Sequence, residues 1–187
     1  MKRVLEPDRF HPARDGTRVA PVLNPWDANA HSIALDAFAG ASLAVGEILP
    51  GHASRPHLHP LVTQLTWVLD GRLHVRMKEP SAPEPYELDV GTGAGVLTEP
   101  MTFLQLVNAD ATRTARVLYV VTPAYVHLPG EDGYDDAVVF DASWDELARG
   151  GFSTRVIGDH DLIRRNRASA QDRLAVVRSR GTRGAEA

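Results

Sequence analysis

The chain contains no cysteine, which excludes disulfides, thiolate metal ligands and a cysteine nucleophile together. Any metal bound here must be held by nitrogen and oxygen. Long apolar runs are missing as well, and none approaches the roughly 20 residues that cross a bilayer. The opening MKRVLEPDRF has a basic pair with no apolar stretch behind it, so no signal peptide is expected. Excess positive charge is also lacking: 20 Lys and Arg stand against 24 Asp and Glu, a net charge of −4. Nothing in that balance calls for nucleic acid or an anionic membrane as partner, and a cytoplasmic location is expected. Histidine is scarce, with eight in 187 residues, yet His52, His57 and His59 fall within GHASRPHLHP, residues 51–60.

A chain of 187 residues with 43% hydrophobic and 24% charged side chains suits one soluble domain with a substantial core. Residues 1–35 show no sustained period and read as an irregular arm. From 36 to 128 the pattern becomes short β segments: 42–49, 61–69, 72–77, 86–90, 95–98, 102–108 and 116–122. Asp70-Gly71 reads as a hairpin turn, and Gly91-Thr92-Gly93-Ala94-Gly95 as a β-turn, because no helix follows that would make it a phosphate loop. Close spacing without intervening helices predicts an all-β antiparallel sandwich or barrel. Residues 129–187 form an extension. Ser143 to Glu146 matches a capping box and predicts a short helix ended by Gly150-Gly151, with a second helix over 161–178. Residues 151–187 hold eight Arg against four Asp or Glu. This basic tail is expected to be solvated, or alternatively to dock on the acidic body of a second subunit.

On a strand, alternate side chains share one face, so His57 and His59 point the same way. Gln64 follows five residues later. The full string is Gly51-x5-His57-x-His59-x4-Gln64-x6-Gly71. It resembles the first motif of the cupin superfamily, with glutamine where glutamate is usual. The second motif of that family, laid on Gly93, puts Glu99 at its proline, Met101 at its glycine, Leu104 at its histidine and Asn108 at its asparagine. Leu104 cannot bind a metal, so one expected ligand is missing. The resemblance implies a jelly-roll barrel of two packed antiparallel sheets, with one divalent metal ion on His57, His59 and Gln64. Its identity (Fe, Zn, Mn, Ni or Cu) stays open.

Gln105 and Glu99 are the candidates to replace the lost ligand, Gln105 needing a β-bulge to re-aim it. His52 is a candidate at the cavity mouth. His74 is expected on the outside. Phe38, Trp67, Met77, Phe103 and Tyr119 are candidates for the cavity wall or simply for the core, and Asn108 for a turn cap. Asp135 and Asp136 are adjacent on a strand, so they do not form a carboxylate dyad. These features lead to the expectation of a metal-dependent enzyme acting on a small anionic or enolisable metabolite. A non-haem dioxygenase is preferred and an isomerase or cyclase is the alternative. A ligand-binding cupin without catalysis, or a barrel kept for assembly, are the remaining readings. A homodimer in which residues 1–35 pair with the neighbouring barrel is also expected.

Overall fold

The computed structural model of the chain describes residues 7, 9–26, 40–155 and 157–184, with side chains through 177. Among these described residues thirteen strands precede two helices. They are β1 (His11–Pro12), β2 (Arg18–Leu23), β3 (Ser42–Ile48), β4 (His57–Leu58), β5 (Thr63–Asp70), β6 (Arg72–Lys78) and β7 (Tyr86–Gly91), followed by β8 (Gly95–Thr98), β9 (Phe103–Val107), β10 (Ala115–Thr122), β11 (His127–Leu128), β12 (Tyr134–Asp135) and β13 (Val138–Val139). Helices α1 (Trp144–Arg149) and α2 (His160–Gly184) end the fold. A six-stranded sheet has the order β1-β2-β3-β10-β5-β8 and a five-stranded sheet the order β13-β4-β9-β6-β7, while β11 pairs with β12. The seven strands expected over 42–122 are all present, each within about two residues of its expected ends.

Strict alternation explains why the two sheets face each other. Leu73, Val75 and Met77 on β6, and Ala115, Val117, Tyr119 and Val121 on β10, point inward and are buried, with the residues between them more exposed. Each buried aliphatic side chain contributes about 1.5–3 kcal/mol. Gly46 on β3 is required by this packing, because a Cβ there would overlap the Tyr119 ring.

Asp70-Gly71 is not a hairpin turn. Strands β5 and β6, which it joins, belong to different sheets, so the chain crosses from one layer to the other at this corner. Gly71 has φ +89°, a conformation glycine enters without steric cost; the local signal was right and the strand partner was not. The turn from β8 to β9 works similarly. Thr102 N donates to Glu99 O across Pro100 and Met101. Met101 has φ +69°, as the third residue of a type II turn requires. This is the position where the family pattern has glycine, and the left-handed backbone persists without it.

The N-terminal segment departs from the irregular arm expected of residues 1–35. Its β2 pairs with β3 of the same chain, with a register break between Pro21 and Leu23. Pro21 obscured the strand in the sequence, and proline is tolerated there because β2 lies near the sheet edge beside a bulge. Phe38 lies outside the described residues.

The capping box forms as expected. Glu146 N donates to Ser143 Oγ while the Glu146 carboxylate accepts from Ser143 N, and α1 stops at Gly150. Trp144 and Phe152 pack with Phe103 and Leu58 on the outer side of the five-stranded sheet. The second helix begins at His160, one residue before its expected start, and extends to Gly184. It is not a loose tail. Ala170 and Leu174 are buried against Val126, with Trp26, Leu128 and Tyr134 alongside, and Arg167 pairs with Asp136 at 3.0 Å. The basic helix therefore docks on the acidic body of its own chain. Among the described residues no helix is long and apolar enough to cross a membrane.

Asn108 caps the β9–β10 loop as expected. Its Nδ2 donates to Ile48 O, Leu49 O and Arg113 O, and its Oδ1 accepts from Asp110 N. Asn108→Ala removes a buried side chain that makes four hydrogen bonds and is expected to cost about 3 kcal/mol, read as a lower urea midpoint at unchanged slope.

Candidate metal and substrate cavity

His57 lies on β4 and is the register partner of Leu104 on β9. His59 follows just beyond β4. Leu58, between them, faces the other way into the α1 cluster, so helix packing on the outside fixes the strand that carries both imidazoles inside. The turn at Met101 adds a second hold, since Met101 N donates to His59 O at 2.8 Å. Gln64 comes from β5 on the opposite sheet. All three side chains are buried and line one cavity of about 440 Å³.

The two rings lie 5.3 Å apart between centroids, at 80°. His57 Nδ1 lies 2.9 Å from Arg55 O, and His59 Nδ1 lies 3.2 Å from Asp136 O. A carbonyl only accepts, so each Nδ1 carries a proton, and in the neutral ring Nε2 keeps its lone pair. His59 Nε2 is buried with no hydrogen-bond partner. An orphaned buried acceptor of this kind calls for a ligand. Nδ1 anchored on a carbonyl is also the arrangement that metal-binding histidines adopt. Gln64 Nε2 donates to Thr66 Oγ1 at 3.1 Å, which leaves its amide oxygen as the donor atom of that side chain. The residues present therefore fit one cation through two nitrogens and one oxygen. Among the described residues no group of three His, Asp or Glu converges on a metal site.

Burial, and then the neighbouring His57, push the His59 imidazole down to about 4, so it is neutral at physiological pH. Asp15 approaches His57 Nδ1 at 3.9 Å. Tyr125 packs edge-on against His59 at 5.9 Å between centroids, and its hydroxyl donates to Asp135. Asp135 Oδ2 lies 2.9 Å from His127 Nδ1. Burial alone would raise the Asp135 carboxyl, but hydrogen bonds from His127, Tyr125 and Ala137 N hold it below its ordinary value. Asp15, Tyr125, His127 and Asp135 all line the cavity.

The structure separates the candidates read from sequence. Leu104 is fully buried and occupies the face that a second-motif histidine would use. Gln105 does not replace it. Strand β9 carries no bulge there, and Gln105 faces outward, donating to Ser54 O and accepting from Arg76. Glu99 is exposed in its turn, and His52 is exposed and away from the cavity wall. His74 is on the outside with Glu87 and Asp89, as expected. Tyr119 lines the cavity. Trp67 is 40% exposed on the outer face, Met77 is core, and Phe103 sits in the α1 cluster. Asp135 and Asp136 face different partners and form no dyad. Sequence reasoning missed Asp15, Tyr125 and Arg167, which lie far from the motif and carry no pattern of their own.

A neutral buried imidazole makes folding pH-dependent. In the unfolded chain it takes up its proton near 6.5, and in the fold only near 4. Its contribution is complete above the higher value and is lost as pH falls toward the lower one, by roughly 3 kcal/mol at most. Thermal melts from neutral pH to about pH 4 should therefore show a steeper loss of stability in the wild type than in His59→Asn.

No protein-family model and no curated protein matches the sequence. Solved structures do resemble the fold. A protein with a double-stranded β-helix domain from Klebsiella pneumoniae superposes with a TM-score of 0.51 at 13% identity, covering 76% of this chain and 100% of its own. The capsular polysaccharide assembling protein CapF from Staphylococcus aureus gives 0.52 at 13% identity, over 73% of this chain and 35% of CapF. The Drosophila melanogaster CENP-C cupin domain gives 0.46 at 14% identity, over 59% of this chain and 72% of that one. What the first two share with this chain is the barrel. By fold, the chain is a double-stranded β-helix barrel like that of the Klebsiella pneumoniae protein.

Proposed function

We propose that the cavity binds one divalent metal ion through His57, His59 and Gln64 and that the protein is a metal-dependent enzyme acting on a small metabolite. The observation that carries this reading is the pair of imidazoles held by Nδ1 on carbonyls, with His59 Nε2 buried and unpartnered. Bound there, the ion would supply either the open coordination positions of a non-haem oxygenase or Lewis-acid polarisation of a carbonyl. With no carboxylate among the three donors, the cation keeps its full charge and favours an anionic or enolisable oxygen pair on the substrate.

The chain's own residues set the rest. Tyr125 and Asp135 stand beside His59, and His127 reaches the same cavity through Asp135. These groups can hold or move a proton close to bound substrate, which supports isomerase or cyclase chemistry as the second reading. Val19, Leu106, Val121 and Leu174 give the cavity apolar walls that exclude water and fit a substrate with a hydrocarbon portion.

Elemental mass spectrometry of the protein reconstituted with each divalent metal tests the proposal. About one ion per chain, lost in the His57→Ala/His59→Ala double variant, is the expected result. Gln64→Glu places a negative charge against the cation and should tighten binding about tenfold, or roughly 1.4 kcal/mol. Oxygen consumption with candidate substrates then separates the dioxygenase from the isomerase or cyclase. Absence of metal after reconstitution, with small-molecule binding indifferent to the double substitution, would move the protein to the non-catalytic binding class.

A further inference from the structure

Helix α2 lies outside the barrel, yet one of its side chains is tied to the cavity. Arg167 Nε lies 3.0 and 3.2 Å from the two oxygens of Asp136, and Arg167 NH2 donates to Ala124 O at 2.6 Å. The Asp136 side chain is completely buried and that of Arg167 nearly so. The same carboxylate accepts from Val126 N and from the Tyr134 hydroxyl. Its main-chain oxygen is the acceptor that fixes His59 Nδ1–H. A single residue thus receives the helix on its side chain and orients the imidazole with its backbone.

We infer that Arg167 is a positioning residue for His59, so that its ion pair with Asp136 sets the ring orientation and tautomer on which ligand binding at Nε2 depends. Removing the guanidinium leaves a buried carboxylate without its counter-charge. Whether the carboxylate is left unpaired or both charges are removed, the side chain at 136 loses its tie to α2, and the Asp136 carbonyl loses that anchor. Once that acceptor moves, nothing on this side holds the proton on Nδ1, and a share of the molecules places it on Nε2, where it blocks coordination. Leu174, two turns along the same helix face from Arg167, lines the same cavity, so the helix contributes both wall and fastener. The affinity part of this inference rests on the metal reading above; the tautomer part does not.

The test uses the full chain. Asp136→Asn/Arg167→Met removes both charges, so no unpaired ion destabilises the fold, and it keeps the main-chain carbonyl. Leu128→Ala loosens the helix packing without touching Arg167. Long-range proton–nitrogen spectra of the metal-free protein read the His59 tautomer, and chelator competition reads Zn²⁺ affinity. The wild type and Leu128→Ala should show one Nδ1–H tautomer, while the double variant shows a mixture and about tenfold weaker Zn²⁺ binding. A folded double variant with an unchanged tautomer overturns the inference. So does an equal change in Leu128→Ala, which would reduce the effect to general stability. If the wild type binds no Zn²⁺, the metal reading fails and the tautomer comparison alone decides.

Discussion

Two hydrogen bonds from imidazole Nδ1 to main-chain carbonyls govern the rest of the site. They decide which nitrogen of each ring carries a proton, and so which is left to act in the cavity. Neither carbonyl moves independently. Arg55, which holds His57, donates its own N–H to Asp15 O in the N-terminal segment, and Pro56 O accepts from Phe140 N near β13. Asp136, which holds His59, is pinned to Val126 in both directions and to α2. Segments before and after the barrel therefore converge on the two rings from opposite sides. The barrel supplies the face on which the histidines project; the additions at either end supply their orientation.

Much of the fold was legible in the chain because it rests on local patterns. Alternating Leu73-Val75-Met77, glycine at a corner, and Ser143 with Glu146 at a helix start each act within a few residues. What was misread depended on partners far along the chain. Asp70-Gly71 gives the right backbone turn whether the next strand folds back in the same sheet or crosses to the other. The strand at 18–23 was hidden by Pro21, whose missing N–H does no harm beside a bulge near a sheet edge. Most of the described α2 side chains are indeed solvated; the two that dock the helix, Ala170 and Leu174, are too few to stand out among its arginines.

The site was legible to a similar depth. The spacing of His57, His59 and Gln64 brings them to one cavity because strand alternation and sheet packing are regular. Leu104 could be read as the vacant ligand position, and it lies opposite His57 in register. The residues that surround and orient this set were not readable. Asp15, Tyr125, Asp135 and Arg167 come from four separate segments and meet only when the ends of the chain fold onto the barrel.

Strand β10 joins the large sheet late. It lies between β3 and β5, pairing Val121 with Ser42 on one side and with Gln64 on the other. Until residues 115–122 are in place, the other five strands of that sheet exist as separate pieces, β1-β2-β3 and β5-β8, each with an unjoined edge. Folding must therefore wait for a contact between distant parts of the chain, which places it in the slow range of milliseconds to seconds. A ribosome stalled before β10, or a protease cutting the loop ahead of it, leaves two strand edges that can only pair with other molecules. Fragments ending there should clump rather than refold, although they contain every residue of His57, His59 and Gln64.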